Sequence, residues 1–411
     1  MTDPLSAALS ALLSRHHALS DGQVADYIPE LAGADPSDFG ISMVSVHGRI
    51  YNAGDAEKPF TIQSVSKPFV YALALSELGL ARVARHVGFE PSGEPFNAVS
   101  LEPETGRPAN PLINAGAIVT TSLIAGDADA GFTRIREALS AFAGRALSLD
   151  EDVYRSEAST GDRNRALAYL TSSQGVLARP ANEATDIYFR QCALEVTATD
   201  LAVMGATLAN AGINPVTKRR VIGEDVARIV LSVMSTCGMY DHSGEWMVRV
   251  GLPAKSGVGG GITAVLPGEF GIGVYSPPLD LQGNSVRGMA ALQDTSTRLG
   301  LHVFAPATEA RTAIAASTMA GNTLSLWLRG ELDFIAAEQI ARHIHDQVAA
   351  FPIGLIALDL TNVTAVRPIA AELLAATGTD MTSRGVRIEP TDPSGFLGTR
   401  PGVVRPPPSA G

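Results

Sequence analysis

The chain has 411 residues, 45% hydrophobic and 18% charged, and carries a net charge of −11 at pH 7. This is the composition of a packed globular protein, long enough for two domains, and it excludes a disordered chain. The acidic balance, with no basic cluster to neutralise phosphates, argues against nucleic acid as a partner.

The first residues, Met1-Thr-Asp-Pro, have no basic stretch followed by an apolar one, so no secretory signal is expected and the cytoplasm is the default location. Residues 4–20 have helical periodicity, and Tyr27-Ile-Pro-Glu-Leu follows as a short segment stopped by proline. Ile41–Val46 and Arg49–Ala53 flank His47-Gly48 and predict a hairpin. Residues 60–80 run into a helix ended by Gly79, and the pattern stays mostly helical from Arg82 to about Asp241, with loops at 91–111 and 211–217. Within it, residues 112–125 are apolar but too short and too interrupted to span a bilayer, so no membrane is expected as a partner.

Strand patterns return with the glycine-rich Pro253–Gly261. Ile262–Leu266 and Phe270–Tyr275 form a second hairpin around Pro267-Gly268-Glu269, and Ser285–Leu299 reads as a helix. Strands at both ends with helices between predict an α+β fold: an antiparallel sheet built from the two ends of the domain, with a helical subdomain inserted. Residues 303–320 lose this patterning and read as a linker. Then comes a small α/β module: strand Leu324–Leu328, helix Asp333–Ala350, strand Gly354–Leu360, helix Pro368–Gly378 and strand Val386–Ile388. The domains expected are thus 1–302, a linker at 303–320, 321–390, and a Pro/Gly-rich tail at 391–411.

Candidate chemistry begins at Ser64-Val65-Ser66-Lys67. A serine three residues before a lysine on a helical turn puts one side chain above the other. A lysine whose pKa is lowered by burial or by a neighbouring cation can take the hydroxyl proton. Four residues also match by chance, so the string needs support elsewhere. Lys255-Ser256-Gly257 supplies it, because both strings are similar to the S-x-x-K and K-[ST]-G elements of penicillin-recognising enzymes. Acyl transfer also needs two N–H groups aimed at the developing oxyanion, and these are expected from Ser64 and from Val258, in the run that follows.

Other strings are informative mainly together. Asn110-Pro-Leu-Ile-Asn114 puts amides in an apolar segment, where each must satisfy a loop backbone or meet a ligand. Glu157 and Asn164 are seven residues apart, about two helical turns, so one face of one helix is possible. Tyr188 and Tyr240 lie near polar partners in sequence. Cys192 and Cys237 have neither disulfide nor metal-ligand spacing and read as small buried hydrophobes. The histidines have no ligand spacing either, so no metal and no cofactor is expected, and His242 is read as holding its loop.

From about Ser10 to Leu301 the chain closely resembles the serine-dependent glutaminases of the bacterial and mitochondrial type. The matching strings are Val24–Leu31, Gln63-Ser64-Val-Ser-Lys67, Asn110–Ala117, Ser156-Glu157, Gly161-Asp-Arg-Asn164, Tyr188, Cys237–Trp246 and Ala254–Gly261. The resemblance implies a fold like that of serine β-lactamases and penicillin-binding proteins, hydrolysis of L-glutamine to L-glutamate and ammonia, and a homo-oligomer, dimer or tetramer. It implies Ser64 as nucleophile and Lys67 as its base. With Ser64, the residues Asn114, Glu157, Asn164, Tyr188, Tyr240 and Val258 form the substrate-binding set, and Tyr27 is a further site tyrosine. A carboxylate such as Glu157 suits the substrate ammonium. Asn114, Asn164 and a tyrosine hydroxyl can meet its carboxylate, and Tyr27 or Tyr240 can move the proton to ammonia or activate the water. The alternatives are another S-x-x-K amidase, such as a β-lactamase or carboxypeptidase, and a non-catalytic glutamine-binding regulator.

Residues 321–390 resemble a STAS-type domain through Arg329-Gly-Glu-Leu-Asp333, the helix Ala336–Ala350 and Ala357–Thr364. Where regulatory members open the next helix with a phosphate-accepting Ser or Thr, this chain reads Val366-Arg-Pro-Ile369. A module for partner binding or oligomerisation is expected there, or an appendage that only caps the enzyme.

Overall fold

The computed structural model describes residues 4–93, 98, 101–305 and 313–397. These divide into two compact units, residues 9–294 and a second built from 295 onward together with residues 4–8. Among the described residues no helix is long and apolar enough to cross a membrane.

The strands of the larger unit are β1 (Gly40–Ser45), β2 (Ile50–Gly54), β3 (Phe60–Thr61), β4 (Glu195–Val196), β5 (Ala254–Ser256), β6 (Gly261–Leu266) and β7 (Phe270–Tyr275). Five of them form one sheet in the order β2-β1-β7-β6-β5. Every pair in it is antiparallel, and β1 from the start of the chain lies beside β7 from the far end. Both expected hairpins form, closed by Gly48 and Gly268 at φ of +93° and +83°, where a Cβ would be strained. Strands β3 and β4 pair by themselves and tie the segment before Ser64 to the end of helix Ala181–Cys192.

The sheet is covered by the helix Ala198–Ala209, buried along nearly its whole length and closed at its N-terminus by a reciprocal Thr197–Asp200 capping box. Glycines let it sit on the strands. A Cβ on Gly273 would lie 1.9 Å from the Ala198 carbonyl oxygen, and one on Gly271 would lie 2.0 Å from the Ala206 nitrogen. The segment between the strands is helical as expected, and its apolar faces form one core that includes Phe69, Leu75, Ile135, Leu139, Phe142 and Met204.

Two expectations change here. Residues 60–80 are not one entry into a helix: β3 is followed by a 3₁₀ turn, Gln63–Ser66, then helix Lys67–Leu78, ended as expected at Gly79. Glu157 and Asn164 do not share a helix. The first lies in Glu151–Thr160 and the second in Asp162–Ser173, with the break at Gly161. A Cβ on Gly161 would be 2.2 Å from the Phe189 ring, so the chain turns where only glycine fits against the neighbouring helix.

In the second unit, β8 (Ile314–Ala320), β9 (Thr323–Leu332), β10 (Leu355–Val366) and β11 (Arg387–Thr391) form a sheet in the order β11-β10-β9-β8. The β9–β10 and β10–β11 pairs are parallel, joined through the helices Phe334–Ala350 and Pro368–Ser383, and β8 runs antiparallel to β9. Leu324, Leu326, Leu328 and Leu332 alternate into the core. The expected order of strands and helices is present, but residues 314–320, assigned by composition to the linker, are a strand. Residues 306–312 of that linker, and 398–411 of the expected tail, lie outside the described residues.

Candidate active site

The site starts from a turn held in place by buried polar groups. The Ile62 N–H donates to the Leu194 carbonyl, and Gln63 takes a left-handed φ of +50°. The 3₁₀ turn then closes with the Lys67 N–H donating to the Ser64 carbonyl. In a 3₁₀ turn residues three apart eclipse one another, so Ser64 and Lys67 are stacked more directly than on an α-helix. Pro68 continues into the helix, where its missing N–H costs nothing. Beneath the turn, Ser66 Oγ donates to the Gln63 carbonyl at 2.7 Å. It accepts from Gln191 Nε2 at 2.9 Å, and Gln191 Oε1 accepts from Thr121 at 3.0 Å. All are buried and mutually satisfied, which fixes the turn.

Against this turn lies the one that follows β5. A Cβ on Gly257 would come within 2.9 Å of the Val65 side chain, and one on Gly259 within 2.7 Å of the Thr61 carbonyl oxygen. The glycines therefore let two backbone segments meet, bringing Val258 beside the serine turn.

Lys67 is buried, and its Nζ donates to Asn114 Oδ1 at 2.6 Å and to the Leu112 carbonyl at 3.3 Å. Burial pushes its pKa down to about 8. Asn114 begins the helix Asn114–Ser122, and its Nδ2 donates to Asn164 Oδ1 at 2.9 Å, while the Tyr188 hydroxyl reaches Asn114 Oδ1 at 3.5 Å. The two asparagines of the apolar segment thus divide the roles left open by sequence. Asn110 satisfies its own loop, accepting from the Leu112 and Ile113 N–H groups and donating to the Glu90 carbonyl, and Asn114 faces the site.

Ser64 hydrogen-bonds the Tyr240 hydroxyl, which also donates to the Ser256 carbonyl at 3.1 Å. Burial raises the phenol pKa strongly, against that serine contact, so Tyr240 is a proton donor in the resting state. Its backbone is left-handed, at φ +56°. His242 stays in the short turn with it, its N–H donating to the Met239 carbonyl.

The third corner is Glu157, 6% exposed. Its Oε1 accepts from the Tyr27 hydroxyl at 2.9 Å, and the Gln63 side chain also hydrogen-bonds it. Burial raises its pKa, partly countered by those two bonds, and among the described residues no cation pairs with it. Tyr27 is 48% exposed as a residue, yet its hydroxyl is enclosed between Glu157 and Gln63, and burial and Glu157 raise its pKa well above the usual value. Its ring therefore closes the Glu157 end from outside.

All nine residues singled out by sequence lie in this region. Sequence reasoning did not place Gln63, which bridges the nucleophile turn to Glu157, nor Lys255, whose amine lies 4.1 Å over the Tyr240 ring. Both stood inside quoted strings, Gln63-Ser64 and Lys255-Ser256-Gly257, as neighbours of the residues that were chosen. The Ser66–Gln191–Thr121 chain had no signal, since its members are far apart in sequence. Cys192, expected as a small buried hydrophobe, is buried in the site against Tyr188 and Ser66, and burial pushes its thiol up to about 12.

Residues 22–304 match the family model described as Glutaminase. Glutaminase 1 of Bradyrhizobium diazoefficiens is 48% identical over 86% of this chain, and the chain spans 58% of that protein and half of glutaminase 2 from the same organism. The glutaminase of Corynebacterium efficiens is 41% identical over 97% of this chain and 94% of its own length. A solved structure of Mglu is 43% identical, with a TM-score of 0.74 over 97% of this chain and all of that one. With the serine turn, the glycine turn and the buried carboxylate in one site, these matches show that the chain belongs to the glutaminase family.

Proposed function

We propose that this chain hydrolyses L-glutamine to L-glutamate and ammonia through a glutamyl ester on Ser64. The supporting observation is the pairing, within one site, of a serine that meets Tyr240 and stands one turn before a buried amine with a buried carboxylate that has no cation partner among the described residues. A substrate with an ammonium at one end and an amide at the other fits both features. Glu157 takes the ammonium through charge-assisted hydrogen bonds, with Tyr27 and Gln63 holding the carboxylate in place. Asn114, Asn164 and Tyr188 bind the substrate carboxylate without adding net charge.

The amide carbonyl then lies between the N–H groups of Ser64 and Val258. Lys67, whose pKa of about 8 leaves a usable fraction as the free amine, takes the Ser64 proton as Oγ attacks the carbonyl carbon. The C–N bond breaks as the nitrogen receives a proton from Tyr240, which lies on the nucleophile, whereas Tyr27 lies at the Glu157 end. Water enters where ammonia left and attacks the ester carbon, giving a proton to the Tyr240 phenolate; the C–Oγ bond then breaks as Lys67 returns its proton to Ser64, and glutamate leaves. The β-lactamase-like arrangement of S-x-x-K turn and K-S-G strand supports acyl transfer as the reaction class.

The second unit is proposed as a STAS-like module that binds a protein partner or assembles the chain into a dimer or tetramer. The strand–helix–strand–helix–strand order from β9 to β11 supports it.

Ammonia release from glutamine, asparagine and a chromogenic β-lactam tests the main reading. Glutamine is expected to be turned over, and Ser64→Ala to lower kcat by on the order of 10⁴-fold. An inert wild type, or turnover that survives in Ser64→Ala, overturns it. Glu157→Gln keeps the shape but loses the charge, costing about 2 kcal/mol, which reads as a roughly thirtyfold higher KM. An unchanged KM removes Glu157 from the ammonium site. Because Lys67 acts as the free amine, kcat/KM should fall about tenfold per unit as pH drops below about 8. A profile flat from pH 6 to 9 excludes Lys67 as the base. A chain ending at residue 302 should keep glutamine turnover but lose the assembly seen by light scattering for the full chain. Equal masses per chain for both proteins would refute the assembly role.

A further inference from the structure

Lys255 is a lysine in an expensive place. It is 0% exposed, on β5, and among the described residues no carboxylate pairs with it. A methionine would fill the same volume without the cost of burying an amine. Burial, and then the charge of Lys67, push its pKa well below the usual lysine value.

Its contacts converge on one side chain. Nζ donates to the Ser256 carbonyl at 2.6 Å, and the Tyr240 hydroxyl donates to that same carbonyl at 3.1 Å. Nζ also lies 4.1 Å from the centre of the Tyr240 ring, well inside the ~6 Å range of such contacts. The other buried amine, Lys67, is 5.9 Å from the Tyr188 ring, at the edge of that range. Tyr240 needs holding. Its φ of +56° is unfavourable for a bulky residue and persists only where the surroundings enforce it. The Ser243 hydroxyl fixes the backbone, accepting from the Met239 N–H and donating to the Tyr240 carbonyl. Nothing in that pair of bonds orients the ring.

We propose that Lys255 is a positioning residue that clamps the Tyr240 phenol, through its ring face and the shared Ser256 carbonyl, so that the hydroxyl meets Ser64. The hydrogen bond of the clamp does not require the charge, because the amine keeps an N–H for the carbonyl in either protonation state, whereas the attraction to the ring face is stronger when the amine is charged. The charged or titratable groups facing it are Lys67 from helix Lys67–Leu78, Cys237 from helix Glu224–Cys237, and Tyr240 itself. The role rests on the glutaminase reading, and glutamine turnover by the wild type checks that reading separately.

The test is a double-mutant cycle in the full-length chain, with melting temperature measured for every variant. Lys255→Met should lower kcat by on the order of 10²-fold, as expected when a catalytic group is misplaced, and leave KM within about threefold. In a Tyr240→Phe background the same change should lower kcat less than about twofold, because the hydroxyl it aims is already gone. Should Lys255→Met not fold, Lys255→Gln keeps a donor for the Ser256 carbonyl and is expected to show a smaller kcat loss that also vanishes with Tyr240→Phe. Wild-type kcat in the folded single variant, or an equal loss with and without the Tyr240 hydroxyl, overturns the proposal.

Discussion

The site depends on the close packing of two backbone turns, one carrying Ser64 and the other Val258. Gly257 and Gly259 permit it, because any Cβ there would strike Val65 or Thr61. The contact brings together the two turns to which the nucleophile and the oxyanion donors are assigned in the proposed reaction, and the five-stranded sheet with its buried helix makes a base for it. β5 takes its register from β6 and β7, close to it in the chain, whereas the serine turn comes from the far end of the unit, so the two turns meet only through a long-range contact.

Around that contact the polar groups fall into three corners. Buried hydroxyls and amides beneath the serine turn satisfy one another and hold the backbone. Lys67 is held on neutral oxygens instead of a carboxylate, which leaves burial free to lower its pKa. Glu157 receives hydrogen bonds only from neutral groups, which leaves its charge for a ligand. Each departure from ordinary pairing is local and has a use in the proposed reaction, the pattern of a site where function takes precedence over stability.

Much of this was legible in the sequence. Alternation and glycine turns placed both hairpins, and the S-x-x-K and K-S-G strings marked two segments that the fold packs against each other. What was not legible has physical reasons. Strand β8 was taken for linker because six of its seven residues are exposed, so no buried face marks its period. The break at Gly161 was invisible because it answers to Phe189 on another helix, not to local propensity. The 3₁₀ form of the serine turn follows from its tether to Leu194, far away in the chain. Gln63 and Lys255 were passed over because, read one at a time, neither had a partner; their partners appear only once the chain is folded.

The neutral surroundings of Lys67 bear on how a turnover ends. In the proposed reaction glutamine and glutamate are alike at the ammonium end, so Glu157 and Tyr27 would not tell product from substrate. They differ where the amide has become a carboxylate, next to Lys67. A fully charged lysine there would grip that new anion and hold the enzyme in its spent state. A lysine whose charged form burial has made less stable grips it less, so the burial that suits Lys67 to the proposed base role would also ease departure of the product.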